Sequence, residues 1–289
     1  MSDDILIGHK LHLDGFISLY KNNNLPQKIL LTGKKGIGKS LLVKHFLFKI
    51  FEDENSKLLI NNETHPNILN IKKNVDKKNI EIDQIRKIIK FTNQSSFNSK
   101  SKFIIIDDVE YLNLNSSNSL LKSLEEPNIN VYFFLIFNSE MNILDTIKSR
   151  CLEYRLGLNL EDTKLIVDSH FNDNSYDKIN DNLKNYYSTP KFLISLINFL
   201  EENKLSASST TISELIMNII DNKLYVKNSF VKEYLNYIIE LFFYNHINLT
   251  KKISFKVKEY YYFKLSNIRK FNLDYETFFI EFKDKLLGE

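Results

Sequence analysis

The chain has 289 residues, 43% of them hydrophobic and 26% charged, with a formal net charge of +3. That profile is ordinary for a folded protein and excludes disorder as the default state, and so small a net charge does not by itself imply nucleic-acid binding. The single cysteine, Cys151, excludes an internal disulfide and a four-cysteine zinc module.

Residues 1–4 are polar and acidic, and no signal-peptide pattern follows them. Residues 28–32 read as a short apolar strand ending at Gly33. Residues 40–51 repeat apolar side chains at helical spacing (Leu42, Val43, Phe46, Leu47, Ile50). Residues 68–71 are strand-like, and 82–91 helical, with Ile82, Ile85, Ile88 and Ile89 on one face. Residues 103–106 read as a buried parallel strand. Residues 116–126 form a helix with Leu120, Leu121 and Leu124 inward and Pro127 as its stop. Residues 131–137 are a second buried strand. This longest obvious apolar run, seven residues, falls well short of the ~18 that a membrane span needs. No membrane partner is expected, and the cytoplasm is the expected compartment. Strands alternating with helices predict an α/β fold with a parallel sheet. After Cys151 the pattern turns helical, at 160–171, 176–187 and 191–200, with Pro190 at a helix N-terminus. Residues 201–211 are polar and Ser-rich and read as a linker. Residues 212–287 show helical spacing throughout.

The chain has only 7 glycines and 4 prolines, where average usage predicts roughly 20 and 14. Three of the seven glycines, Gly33, Gly36 and Gly38, fall within six residues. The segment Gly33-Lys34-Lys35-Gly36-Ile37-Gly38-Lys39-Ser40 matches G-x-x-x-x-G-K-[ST] in full, after a strand and opening a helix. Glycines let backbone N–H groups turn inward around phosphate oxygens, and the helix N-terminus adds positive potential. Lys39 is the residue to reach the β- and γ-phosphates, and Ser40 the one to ligate Mg²⁺. The sequence therefore predicts ATP and Mg²⁺ as ligands. Asp107, at the end of the strand 103–106, is the candidate to orient Mg²⁺ through its water shell. At the next position many such NTPases carry Glu to polarise water. Here Asp108 stands there, one methylene shorter, and a displacement of ~1 Å costs ~10²-fold in rate. Binding is thus better supported than hydrolysis. Glu110 reads as a surface residue, with a substitute carboxylate as the alternative.

The run Asn118-Ser119-Leu120-Leu121-Lys122-Ser123-Leu124-Glu125-Glu126-Pro127 resembles the clamp-loader branch of the AAA+ ATPases. So does Thr146-Ile147-Lys148-Ser149-Arg150-Cys151, with that branch's Ser-Arg-Cys signature. His65-Pro66-Asn67 and Ile82-Asp83-Gln84-Ile85-Arg86 resemble the bacterial members, most of all the delta-prime subunits of DNA polymerase III. The resemblance is dense from about residue 30 to 151 and architectural beyond 200. It implies a nucleotide-binding domain at 1–157, a helical lid at 158–203 and an all-helical, oligomerising collar at 204–289. It implies that Arg150 is an arginine finger acting in trans and that Asn138, ending a strand eleven residues before Ser149, is a sensor-like contact to the γ-phosphate or attacking water. A strand-end turn is the alternative for Asn138, and a structural salt bridge for Arg150. Cys151 reads as packing. The implied partners are the other subunits of a five-membered ring (motor and delta-like), the sliding clamp, and primer-template DNA through the assembly.

The zinc-binding cysteines of many bacterial relatives are absent, so no zinc is expected. Where the lid usually offers an arginine to the nucleotide, this chain has Lys191 and Phe192. The mixture fits an arginine-finger donor of a DNA polymerase holoenzyme with little ATPase activity of its own; the alternative is the ATP-hydrolysing motor subunit. Two basic stretches stay open between a solvated surface and a DNA-facing one. They are Lys72, Lys73, Lys77 and Lys78, and residues 251–270, where seven bases meet one acid and Tyr260, Tyr261 and Tyr262 interleave.

Overall fold

A computed structural model describes residues 6–74, 77–96, 101–185, 188–249, 253–271 and 273–288, without the side chains of 248, 249 and 269. Residues 1–4, the end of the helix expected at 176–187, and Lys251, Lys252 and the Arg269 side chain thus lie outside the described residues. The chain divides into two compact units, Met1–Asp162 and Thr163–Glu289.

The first unit is built on five strands: β1 (Lys28–Gly33), β2 (Ile68–Ile71), β3 (Lys102–Ile106), β4 (Val131–Asn138) and β5 (Leu152–Arg155). Their order is β2-β3-β4-β1-β5, and every pairing is parallel. Side-chain alternation along a strand puts neighbours on opposite faces, and both faces are covered. Ile29, Leu31, Phe134 and Ile136 join Phe16, Leu42 and Phe46 in one core. These come from α1 (Lys10–Lys21) and α2 (Lys39–Ile50), and α3 (Glu54–Asn61) adds Ile60. Leu30, Phe133, Leu135 and Phe137 join Ile85, Ile88, Leu120 and Leu124 in the other, supplied by α4 (Ile82–Asn93) and α5 (Leu114–Glu125). This double burial is why β1 and β4 read as unbroken apolar runs. The α/β architecture with a parallel sheet, and the phosphate loop after β1, are as the sequence predicts.

Four elements here differ from expectation. α1 and α3 were not foreseen. β5 carries no apolar run and is largely exposed; main-chain pairing with β1, from Ile29↔Leu152 to Thr32↔Arg155, makes it a strand. α5 starts two residues before the expected 116 because the Asn113 side chain caps it, accepting the Ser116 N–H at 2.8 Å.

The second unit is helical. Following α6 (Asp145–Lys148) and α7 (Leu160–Phe171) in chain order come α8 (Ser175–Lys178), α9 (Pro190–Glu202), α10 (Ile212–Asp221), α11 (Leu224–Lys227), α12 (Ser229–Tyr244), α13 (Phe255–Phe271) and α14 (Glu276–Phe282). Pro190 occupies the first helical turn, as expected. One hydrophobic core runs from Val167 to Phe282 and includes Phe192, Leu196, Phe242 and Tyr261. The single helix expected at 176–187 is not observed. Instead α8 ends at Lys178 and a separate 3-10 turn follows at Asp181–Leu183. The Asn180 side-chain carbonyl accepts the Asn182 N–H at 2.9 Å, the kind of local bond by which Asn competes with helix propagation. Within 201–211 the chain is folded onto the core: the Asn180 N–H donates to the Ala207 carbonyl at 2.8 Å, and Thr210 is buried.

Candidate functional site

The phosphate loop leaves the carboxyl end of β1. Gly36 and Gly38 adopt φ of +87° and +93°, the left-handed region that costs a Cβ-bearing residue energy. Gly33 is required by close approach instead. A Cβ there would lie 2.6 Å from the Leu156 carbonyl oxygen and 2.6 Å from Ile37 Cδ1. Gly38 then caps α2, so the helix N-terminus opens directly onto the loop.

Lys39 is buried at 7% exposure. Its ammonium donates to the carbonyls of Gly33 (2.8 Å) and Lys34 (2.7 Å). Burial lowers its pKa to about 8, against the opposing pull of Glu110, Asp107, Asp108 and Glu140. Ser40 Oγ donates to Asp107 Oδ2 at 2.7 Å. The two residues expected to share a metal ion are therefore already side by side. Asp107 is fixed from behind, its N–H donating to the Ile71 carbonyl at 2.8 Å, and its Oδ1 accepts the Asp108 N–H at 3.0 Å. Asp108 itself sits at φ +56°, opening the 3-10 turn Val109–Tyr111.

Asn138 ends β4 as the register partner of Gly33. Its N–H donates to Glu110 Oε2 at 3.2 Å and its Oδ1 accepts the Glu140 N–H at 3.2 Å. Glu110 is thus not the simple surface carboxylate expected. It is half-buried, its pKa is raised mainly by that burial, and it heads the carboxylates acting on Lys39. Apart from Arg150, the structure brings every expected site residue together: Gly33, Gly36, Gly38, Lys39, Ser40, Asp107, Asp108 and Asn138. The arrangement suits a phosphate chain with a divalent cation: a glycine cradle at a helix N-terminus, one buried ammonium, and a hydroxyl–carboxylate pair.

Arg150 lies elsewhere. It follows α6 and precedes β5, whose first residue, Leu152, pairs with Ile29 near the amino end of β1. Its Nη1 donates to the Thr146 carbonyl and its Nη2 to Glu125 Oε1, both at 3.0 Å. Glu125 ends α5, where the neighbouring Leu124 carbonyl accepts from Lys28 Nζ at 3.0 Å. Arg150 therefore stands at the amino end of the sheet. From Ile29 to Gly33 the strand advances about 13 Å, so the phosphate loop is at the opposite end. Cys151 beside it is largely buried, which pushes its thiol pKa up to about 11 and leaves it a packing residue.

Among the described residues, several members of the basic stretches are engaged within the chain. Lys72 pairs with Glu63 at 2.8 Å and Lys77 with Glu81 at 3.0 Å. On α13, Tyr261 is core, while Lys264 and Tyr260 both bond Glu281. In the second unit Lys191 pairs with Glu233 at 3.1 Å and Phe192 is 2% exposed. Among the described residues no helix is long and apolar enough to cross a membrane.

His9 was missed from the sequence. Its ring is 1% exposed and its Nε2 lies 2.7 Å from the Ile37 carbonyl oxygen, inside the loop. The 28 residues between them hide that contact from any local pattern.

The family model described as DNA polymerase III, delta subunit, matches residues 8–159. The delta' subunit of DNA polymerase III from Pseudomonas aeruginosa is 33% identical over 135 residues, covering 43% of this chain and 41% of that one. The delta' subunit from Buchnera aphidicola subsp. Schizaphis graminum is 30% identical over 201 residues, covering 65% and 59%. The gamma subunit from the same organism is 28% identical over 165 residues, covering 54% and 45%. The matched segments thus span about half the length of these relatives. Among solved structures, a Thermotoga maritima protein related to the DNA polymerase III gamma subunit superposes with a TM-score of 0.46 at 19% identity, covering 79% of this chain and 76% of that one. With the family model covering more than half of its 289 residues, the chain belongs to the DNA polymerase III delta-subunit family and counts the subunits named delta' among its relatives.

Proposed function

We propose that this chain is a delta-prime-type clamp-loader subunit whose own phosphate loop takes ATP weakly or structurally and whose Arg150 serves as an arginine finger on a neighbouring subunit's ATP. The observation that carries this reading is the placement of the two cations at opposite ends of one parallel sheet. Lys39 faces the chain's own loop, and Arg150 faces away from it. Among the described residues, Arg150 is held by Thr146 and the exposed Glu125 alone. Such a surface pair is worth about 0–1 kcal/mol, so the guanidinium is free to exchange Glu125 for phosphoryl oxygens, which its planar fork suits.

In the chain's own loop, the N–H groups of 36–40 and Lys39 would hold the phosphates, with Ser40 and Asp107 toward Mg²⁺. The short Asp108, its left-handed backbone and the absence of a lid arginine at Lys191 and Phe192 favour binding over turnover. The lid at 158–203 and the collar at 204–289 belong to this proposal. So do the partners: motor and delta-like subunits in a five-membered ring, the sliding clamp, and primer-template DNA, in the cytoplasm.

The deciding experiment is Arg150→Ala in the reconstituted assembly. Clamp-stimulated ATPase should fall by roughly 10³-fold, the scale of a lost arginine finger. Unchanged ATPase overturns the assignment. Titration of the isolated chain with ATP separates the alternative. Binding without turnover supports the present reading, and robust turnover abolished by Lys39→Ala identifies a motor subunit instead.

A further inference from the structure

We propose that His9 is a positioning residue of the phosphate loop, holding the Ile37 carbonyl to one side so that the Gly38 N–H is aimed at the phosphate on the other. This inference deepens the nucleotide-binding reading above and rests on it.

The geometry is restrictive. Ile37 stands between two glycines at φ +87° and +93°, residues with the freedom to let a peptide unit turn over. Across the planar trans peptide the Ile37 C=O and the Gly38 N–H point in opposite directions. Fixing the carbonyl therefore fixes the donor. The carbonyl has no proton to give, so at 2.7 Å the hydrogen must sit on His9 Nε2. Nδ1 is buried with no hydrogen-bond partner among the described residues. A proton there would create an unpaired buried donor, which is costly. The ring is thus the neutral Nε2–H tautomer, and burial lowers its pKa further. The charged and titratable groups acting on it are His12 of α1, Lys39 of α2 and Asp162 of α7.

The imidazole is itself anchored. The His9 carbonyl accepts the Leu13 N–H at 3.0 Å, opening α1. One turn on, Phe16 locks α1 against Phe46, Phe134 and Tyr154, with ring centroids 4.9–6.3 Å away. Gly8, at φ +80°, delivers His9 through a gap where a Cβ would lie 2.2 Å from Leu158 Cδ2. The chain thus runs from the aromatic core through α1 and His9 to the middle of the loop.

The test uses the full chain, a fluorescent ATP analogue with Mg²⁺, and two variants. His9→Leu should weaken binding roughly tenfold, the effect of one lost hydrogen bond to a buried carbonyl. His9→Gln, whose amide N–H lies the same number of bonds from Cα, should recover most of the affinity. Nitrogen NMR of the wild-type ring without nucleotide should show a proton on Nε2 and none on Nδ1. Wild-type affinity in folded His9→Leu, or a proton on Nδ1, overturns the proposal. If the wild type binds no analogue, the nucleotide reading fails, and backbone relaxation at Gly38 decides this one. Increased motion in His9→Leu but not in His9→Gln upholds it; equal motion in all three overturns it. Should His9→Leu not fold, the ring tautomer and the affinity of His9→Gln decide in its place.

Discussion

Lys39 and Arg150 are both cations suited to phosphate, yet the protein holds them in opposite ways. Lys39 is buried, bonded to two backbone carbonyls and ringed by carboxylates, and burial lowers its pKa to about 8, so its charge is held at a cost. Arg150 is about one-third exposed and, among the described residues, tied to the Thr146 carbonyl and one exposed carboxylate, Glu125. On the proposed reading, the first waits for a ligand that comes to it and the second is given away to a neighbour. A preorganised cation costs the free protein stability, because its desolvation is borne before any phosphate arrives. A releasable one costs almost nothing, because water and Glu125 compensate it.

The largest expected effect tests the buried side of that contrast. Lys39→Met should weaken Mg·ATP binding by on the order of 100-fold, as expected when a charge-assisted contact is lost, measured by titration of the isolated chain. The same variant should be more stable without nucleotide, by about 1–3 kcal/mol near pH 7, since each pKa unit of depression corresponds to about 1.4 kcal/mol. Below pH 8 Lys39 is charged in both folded and unfolded states, and the cost is fully present. As pH rises from about 8 toward the ordinary 10.5, the folded state sheds the proton first and wild-type stability climbs. The advantage of Lys39→Met in urea unfolding should therefore shrink across that window. A variant less stable than wild type at every pH would break the contrast.

Gly33→Ala comes next. Its Cβ would lie 2.6 Å from the Leu156 backbone oxygen, so overpacking of about 1–3 kcal/mol is expected by thermal unfolding. Acid should act more gently through His9. With its folded pKa below the usual 6.5, the stability it contributes is present above that value and is lost as pH falls through it. His9→Gln should flatten the fall in unfolding midpoint between pH 7 and 5. The smallest effect belongs to Arg150→Ala, which should change the isolated chain's stability by less than about 1 kcal/mol and leave its own ATP affinity intact. A loss of several kcal/mol would make Arg150 a structural residue.

The site was legible in sequence wherever chemistry demands fixed spacing. Gly33 to Ser40 is such a case, because a phosphate cradle admits few alternatives. Asp107 was legible because it ends a strand whose apolar run was plain. Strands buried on both faces announce themselves; β5 does not, since main-chain pairing with β1 rather than side-chain burial makes it a strand. The break between α8 and the turn at Asp181–Leu183 was hidden because helical spacing was present and Asn180 overrode it locally. α1 was readable in principle, as Leu13, Phe16 and Tyr20 fall on one helical face. His9 and Glu110 were not, since their roles depend on partners 28 residues away in each case.

The parallel pairing of β1 with β5 has a mechanical consequence. Gly33, the last residue of β1, begins the phosphate loop, and Leu152, the first residue of β5, stands two positions after Arg150. A ladder from Ile29↔Leu152 to Thr32↔Arg155 joins the two strands. The cradle and the arginine are thus coupled in series through one short, stiff strut, like the two jaws of a rocker sharing a pivot. The spacing between the cradle and the base of Arg150 is therefore set by main-chain pairing, with no side chain needed to hold it.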